Sequence, residues 1–320
     1  MNNLTFPILR LLADGRFQSG EDIARHFGVT RATVWNAIQE AEALGVEIFS
    51  VRGRGYRLPQ PIKLLEYESV LHAIGDQRAW FTLELHDHLE STNSYLMKKA
   101  AAGAPHATCV AASLQTKGRG RRGRSWQSGL GASLTFSLLW RFQSGASALS
   151  GLSLAVGVAL MRALHNMGIK HAQLKWPNDI LCDYRKLAGI LIELQGDMEG
   201  PSAAVIGIGI NLHLPEHVQK HIDQAAVDIH SLARQPIDPS ALLGTLLKHL
   251  AQVLNEFENQ GFEQLREEWQ RHHAYQDQQV RMLLPDGREM LGVVNGIAPD
   301  GVLLVETANG VQRFSAGEIS

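Results

Sequence analysis

The chain has 320 residues, of which 45% are hydrophobic and 19% are charged. This is enough to bury a sizeable core, and the length favours two or three domains over one. The formal net charge of −2 excludes a protein that is basic throughout, so any contact with nucleic acid must come from local patches. Cys109 and Cys182 lie in apolar stretches, and there is no signal peptide or long apolar run. These features predict a cytoplasmic protein with reduced thiols and no membrane partner.

Residues 1–60 are predicted to form a winged helix-turn-helix domain. Ser19 and Thr30 are typical N-cap residues for its second and third helices, and Gly28 ends the second helix in a tight turn. Ala24 supplies the small side chain that two steeply crossing helices need where they touch. The order of these residues predicts a DNA-binding module.

Two alternating stretches, 46–51 and 55–58, predict a β-hairpin wing after the third helix. Side chains able to reach bases or phosphates lie on the exposed positions of that helix and on the wing. They are Thr30, Arg31, Thr33, Asn36, Arg52 and Arg54. The clustered positive charge favours DNA as the partner, and a winged helix that contacts protein is the alternative.

Residues 117–126 combine five cations with three glycines. The stretch contains G-x-G-x-x-G, but no helix follows it, and so many charges do not suit a Rossmann loop. Predicted strands at 109–114 and 134–140 flank it. We interpret the stretch as a mobile cationic loop that closes over a phosphorylated ligand. A solvated basic loop or an arm that binds nucleic acid is the alternative.

Residues 61–273 mix strands and helices without regular alternation. This predicts an α+β domain with its helices on one face of a mixed sheet. Five motifs follow one another along it: ESTNS at 90–94, QTKGRGRRG at 115–123, KWPNDI at 175–180, RKLAGIL at 185–191 and GIGINL at 207–212. Residues 274–320 change to short strands separated by Asp-Gly and Asn-Gly turns, which predicts a small C-terminal β-barrel.

The motif set resembles that of the biotin protein ligases. With the N-terminal winged helix, the chain is similar over its whole length to the bifunctional members that also repress the biotin operon. The resemblance implies a central fold like that of class II synthetases and an SH3-like barrel at the C-terminus. It implies that biotin is activated with ATP and Mg²⁺ to biotinyl-5′-AMP. The biotinyl group then passes to a lysine of the biotin carboxyl-carrier domain of acetyl-CoA carboxylase.

The resemblance also implies roles for individual residues. Lys186 and Arg121 are expected to be catalytic, with Lys186 beside both the biotin carboxylate and the α-phosphate. Contacts with biotin or biotinyl-AMP are expected from Ser91, Thr92, Asn93, Gln115, Arg119, Gly120, Arg121 and Lys186. The expected nucleotide-side residues are Trp126, Asn178, Asp179 and Asn211. We predict no metal-ligand set, because the sequence His86-Asp87-His88 has no further ligands at a metal-site spacing.

Two features depart from the family pattern. Lys117 stands where a small residue is common, and residues 214–230, which include Lys220 and His221, look helical and match poorly. The repressor interpretation requires a ligand-dependent homodimer, because one winged helix reads too little DNA. A ligase without working DNA binding and a related lipoate-type ligase are the alternatives. Lipoate, however, has no ureido ring that needs a polar clamp.

Overall fold

The computed structural model describes residues 2–127, 129–196, 199–214, 216–219, 222 and 224–320. The helices are α1 Thr5–Leu11, α2 Gly20–Phe27, α3 Arg31–Ala43, α4 Tyr67–Ile74, α5 Thr92–Ala101, α6 Leu152–Asn166, α7 Glu216–Gln219, α8 Ile229–Leu232, α9 Pro239–Gln260 and α10 Glu263–Arg271. The strands are β1 Phe49–Val51, β2 Gly55–Arg57, β3 Thr82–Leu89, β4 Thr108–Gln115, β5 Ser133–Phe142, β6 Ala172–Lys175, β7 Asp179–Cys182, β8 Arg185–Gly196, β9 Ser202–Asn211, β10 Gln279–Leu283, β11 Glu289–Ile297, β12 Leu303–Thr307, β13 Gly310–Phe314 and β14 Glu318–Ile319. Within these ranges no helix has the length and apolar surface of a membrane-spanning segment.

The N-terminal helices begin and end where the sequence predicts. The Ser19 hydroxyl accepts a hydrogen bond from the Asp22 N–H at 3.0 Å, and Thr30 accepts one from the Thr33 N–H at 3.2 Å. Gly28 adopts a left-handed conformation with φ of 67° and closes α2. The hairpin is shorter than predicted, because Val46 is buried in the helical core instead of pairing with the second strand.

The central sheet has the strand order β3-β4-β5-β9-β8-β7-β6. The β3–β4 pair is parallel and the other pairs are antiparallel, so the sheet is mixed, as predicted. The flanking strands predicted around the cationic loop are present as β4 and β5. On one face of this sheet, α4, α6, α9 and α10 cover the largest apolar core.

The prediction that the helices lie on one face of the sheet is wrong for α5. Val110 and Leu139 pack with Leu96 of α5, whereas their chain neighbours Cys109 and Leu138 belong to the core under α6 and α9. Because successive strand residues point to opposite faces, α5 lies on the other side of the sheet. That second face has only partial helical cover, and it therefore has room for a cleft.

The C-terminal strands form an antiparallel sheet with the order β13-β12-β11-β10-β14. The sheet contacts the central domain directly: the Trp176 indole N–H donates to the Gly301 carbonyl at 3.2 Å. An ion pair of 2.7 Å also joins Arg124 of the cationic loop to Glu318. The last residues of the chain therefore lie beside the loop.

Candidate functional site

A cleft opens on the face of the central sheet that carries α5. Residues from distant parts of the central domain, from Ser91 to Gln224, meet there. Of the predicted site residues, the cleft is lined by Ser91, Thr92, Asn93, Gln115, Arg119, Gly120, Arg121, Trp126, Asn178, Asp179 and Lys186. Asn211 lines an adjoining cleft instead, which Lys175 and Arg281 also border.

One part of the cleft is a network of neutral polar groups. Thr92 donates to the Gln115 side-chain oxygen from its backbone N–H at 2.7 Å and from its hydroxyl at 3.1 Å. The Ser137 hydroxyl lies 2.8 Å from the Thr92 hydroxyl and 2.6 Å from the Asn93 side-chain oxygen. Ser91 also accepts from the Ser94 N–H at 3.3 Å as the N-cap of α5. The network presents fixed donors and acceptors without net charge.

Lys186 provides a positive charge inside the cleft. Its side chain is only 16% exposed, and its Nζ lies 2.8 Å from the Asp179 carboxylate. The ammonium is 5.9 Å from the centre of the Trp126 ring, which walls this part of the cleft. A Cβ at Gly189 would lie 3.2 Å from the Lys186 Cε, so the glycine leaves space for the lysine chain.

The cationic loop lies folded over the cleft, and its cations pair with groups on the rim. Arg121 donates from Nη1 to the Asn178 side-chain oxygen at 2.9 Å, and Arg119 pairs with Glu193. Lys117 lies 2.6 Å from Glu90 at the base of the loop. Burial lowers the pKa of the Arg121 guanidinium from its ordinary value. The arginines are thus held at the mouth of the cleft.

The four residues predicted to contact the nucleotide have different surroundings in the structure. Asn178 is fixed by β8, because its side-chain N–H donates to the Ile190 carbonyl at 2.8 Å. Asn211 is buried, and its amide donates to the Lys186 and Val227 carbonyls at 3.1 Å each. Asn211 therefore holds the backbone at Lys186. Burial lowers the pKa of Lys175, which borders the same adjoining cleft.

In the described part of segment 214–230, helix is limited to the four-residue turn α7 and the first residues of the four-residue turn α8, so the segment is not helical throughout as predicted. Lys220 and His221 lie outside the described residues. An Asp228 carboxylate oxygen accepts the Leu214 N–H at 2.8 Å and ties the start of this segment to α8.

The predicted DNA-contacting residues occupy the exposed face of α3 and the tip of the hairpin. Arg31, Asn36 and Arg52 are exposed, whereas Thr30 and Thr33 use their hydroxyls in the helix cap, 2.9 Å apart. The Arg54 guanidinium lies 4.4 Å from the centre of the Phe17 ring, which fixes it on the hairpin by a cation–π contact.

Sequence reasoning missed several residues that shape the main cleft. A Cβ at Gly207 would lie 2.1 Å from the Asn93 side-chain oxygen, and one at Gly209 would lie 2.5 Å from the Trp126 ring. Both glycines point to the α5 face, and the alternation in Gly-Ile-Gly-Ile was the available signal. Ser137 and Glu193 carry no local signal, because only the folded sheet brings them to Asn93.

The sequence matches three family models in order along the chain. A helix-turn-helix domain matches residues 5–57, the biotin/lipoate A/B protein ligase family matches residues 85–211, and the biotin protein ligase C-terminal domain matches residues 277–320. The bifunctional ligase/repressor BirA of Salmonella typhimurium is 35% identical over 322 residues, which cover 100% of this chain and 98% of that protein. The chain belongs to the BirA family of bifunctional ligase/repressors.

A second relative and a solved structure are also similar to the chain. BirA of Escherichia coli is 34% identical to this chain, and the match covers 100% of this chain and 97% of that protein. A biotin protein ligase from Aquifex aeolicus, solved in complex with biotin and ATP, has a TM-score of 0.64 and 27% identity. It covers 75% of this chain and 97% of its own length.

Proposed function

We propose that this member of the BirA family is a biotin protein ligase and a repressor of biotin genes. It activates biotin with ATP to biotinyl-5′-AMP and transfers the biotinyl group to a lysine of a biotin carboxyl-carrier domain. The observation that carries the proposal is the joining, in one cleft, of a neutral polar network with the half-buried cations Lys186 and Arg121. A ureido ring suits the polar network, and a carboxylate and a phosphate suit the cations.

The polar network supports biotin over lipoate as the substrate. The ureido ring has one carbonyl acceptor and two N–H donors, which need both donors and acceptors opposite them. Thr92, Gln115, Asn93 and Ser137 provide hydroxyl and amide groups that are already linked to one another. Binding costs free energy when a ligand buries the remaining donors and acceptors of these groups without pairing them, so an aliphatic dithiolane is disfavoured.

In the first step, a biotin carboxylate oxygen attacks the α-phosphorus of ATP. A new P–O bond forms, the bond to the β-phosphate bridge breaks, and pyrophosphate leaves. The Lys186 ammonium reduces the repulsion between the two anions and stabilises the charge in the transition state. Asp179, 2.8 Å from the Lys186 Nζ, positions the ammonium, and Arg121, held by Asn178, adds a second positive charge. We propose Lys186 and Arg121 as the catalytic residues.

In the second step, the amine of the carrier lysine attacks the carbonyl of the mixed anhydride. An amide forms, a proton is released and AMP leaves. Until the carrier arrives, the folded loop excludes water from the anhydride. Arg119, Gly120 and Trp126 cover the ligand in this proposal, which is consistent with their positions around the cleft.

ATP is proposed to bind across the main and adjoining clefts, with its purine towards Asn211. The carboxylates bordering these clefts pair with cations: Asp179 with Lys186, Glu318 with Arg124 and Glu289 with Arg281. This donor set suits Mg²⁺ that is held mainly by the nucleotide phosphates, a common arrangement for this ion. We therefore propose that Mg²⁺ enters as the ATP complex and reduces the charge on the phosphates.

For repression, we propose that residues 1–60 bind operator DNA as part of a homodimer that forms when biotinyl-AMP is bound. Arg31 and Asn36 would face bases, and Arg52 and Arg54 would face phosphates, in accord with their exposure. We further propose a winged helix for this domain, a class II synthetase-like domain over 61–273, and an SH3-like barrel over 274–320. The β1–β2 hairpin and the five-stranded C-terminal sheet support these assignments.

A single reaction tests the ligase. The protein is incubated with biotin, ATP, Mg²⁺ and a carrier domain, and the mass of the carrier is measured. We expect one biotinyl adduct on one lysine, which is absent without ATP and absent when lipoic acid replaces biotin. A lipoyl adduct of equal yield, or no adduct with biotin, would contradict the proposal.

A further inference from the structure

Trp35 is a large aromatic residue left exposed on helix α3. Its exposed fraction is 53%. The opposite face of α3 supplies the buried residues Val34, Ala37, Ile38 and Ala41, so the core of this domain does not use the Trp35 ring. Burying such a ring is favourable, and tryptophan often makes the decisive contact of a binding surface. The position therefore suggests that a partner covers Trp35.

The neighbours of Trp35 on α3 have the chemistry of base recognition. Arg31 and Gln39 precede and follow it by four residues, and residues at this spacing share one side of a helix. Asn36 is next to it, and all three polar residues are exposed. Arginine, asparagine and glutamine are the side chains that read guanine and adenine edges in the major groove.

The nearby aromatic residues Phe17, which is half-buried, and Phe49, which is exposed, differ from Trp35 in having cations against them. The Arg57 guanidinium lies 5.1 Å from the centre of the Phe17 ring and 5.0 Å from that of Phe49. Among the residues that the structure describes, no cation or second ring stacks on Trp35. Its surface is thus open to a partner beyond the chain.

We propose that Trp35 contacts the C5 methyl groups of thymines in the major groove and gives the operator half-site a thymine preference. The thymine C5 methyl is the apolar group of the major groove. An apolar side chain that packs against it favours thymine over a base that carries a hydrogen atom at C5. Arg31, Asn36 and Gln39 supply the polar contacts around it. The inference rests on the repressor part of the proposed function and adds a specificity-determining residue to it.

The first experiment selects duplexes from a randomised DNA library with full-length protein in the presence of biotin, ATP and Mg²⁺. Wild type is compared with Trp35→Ala and with Trp80→Ala. Trp80 is a matched control, because it is also 53% exposed but lies in the turn Gly75–Trp80, outside the helix-turn-helix region. We expect Trp80→Ala to select the same DNA sequence as wild type. In the DNA selected by Trp35→Ala, we expect the preference for thymine to be lost at one or two positions of each half-site.

The second experiment removes the methyl group alone. Each thymine of the selected site is replaced by deoxyuridine in turn, and binding is measured by titration. At the thymines that Trp35 contacts, we expect wild type to lose about fourfold in affinity, the effect of one buried methyl group. Trp35→Ala is expected to bind the thymine duplex and the deoxyuridine duplex with equal affinity. Trp80→Ala is expected to behave as wild type.

The outcomes separate this inference from the function on which it rests. Failure of wild type to enrich any sequence contradicts both the repressor function and the role of Trp35. Sequence-specific binding that is insensitive to deoxyuridine overturns the role of Trp35 alone and indicates a backbone or protein contact. Carrier biotinylation at the wild-type rate by Trp35→Ala shows that its catalytic domain is folded, and an unchanged affinity for random DNA shows the same for its helix-turn-helix domain. Trp35→Leu, which keeps an apolar surface, is expected to retain part of the methyl preference.

Discussion

Arg121 and Arg52 carry the same guanidinium group in two different surroundings. Arg121 is a partly buried residue of the cationic loop and donates to Asn178 at 2.9 Å, whereas Arg52 is exposed at the turn of the hairpin. A desolvated and oriented cation interacts strongly with one small anion, while exposed cations act together on a long polyanion and are screened by salt. The comparison shows that burial and partners, not residue type, separate the ligand cleft from the DNA-binding surface.

The largest effect is expected inside the cleft. Lys186→Ala removes the ammonium that we propose lies between the two anions, and we expect adenylate formation to fall by about 10²- to 10³-fold. Pyrophosphate release measures this rate, and calorimetry measures biotin binding, which is expected to change far less. A mutant that releases pyrophosphate at nearly the wild-type rate would contradict the catalytic role that we propose for this half-buried cation.

A smaller effect is expected from opening the loop. Arg121→Gly removes the charge-assisted contact that we propose with the ligand, and we expect the adenylate to be released about 10- to 100-fold faster. Released adenylate labels bystander lysines, which mass spectrometry of an added neutral protein detects. Asn178→Ala keeps Arg121 but removes its hydrogen-bond acceptor. We expect this variant to release the adenylate at a rate between those of wild type and Arg121→Gly. Retention of the adenylate by both variants would contradict the closure of the loop over the ligand.

The exposed surface is predicted to respond to salt. We expect Arg52→Ala to weaken DNA binding at every sequence and to reduce the slope of log affinity against log salt by about 0.9. Carrier biotinylation is expected to be unchanged. Titrations at several salt concentrations give the slope, and a change limited to one operator sequence would instead place Arg52 on a base.

The smallest effect is expected at the base of the loop. Lys117 and Glu90 form an ion pair of 2.6 Å, with side chains 70% and 66% exposed. Exposed pairs contribute little, so Lys117→Ala is expected to change the release rate of the adenylate by less than about fivefold. A change as large as that of Arg121→Gly would mean that exposure is a poor guide to the strength of these contacts.

Local patterns predicted much of this fold and of the site. The N-caps at Ser19 and Thr30 and the left-handed Gly28 follow from short-range hydrogen bonding and backbone sterics, so the sequence predicts them directly. The strands around the cationic loop follow from their apolar runs. The wing was predicted too long, because the apolar pattern of residues 46–51 does not distinguish burial against helices from pairing in a hairpin.

The side of the sheet that each helix covers depends on the path of the whole chain. Val110 and Leu139 are apolar like their neighbours, and only packing reveals that they face α5. The hydrogen-bond partners of the site residues could not be predicted from the sequence either. Glu193 is one hundred positions from Asn93, and its carboxylate accepts from the Asn93 amide at 2.9 Å.

The sequence by itself determined the family, the order of the domains and the residue types at the site, because the chemistry of the reaction requires particular residue types at the motif positions. The tertiary structure decided that Lys186 pairs with Asp179, that Asn211 supports the backbone of Lys186, and that Trp126 fits over Gly209. It also decided that Trp35 remains exposed. Each of these features is a distance or a burial set by packing between remote segments, and no local pattern encodes it.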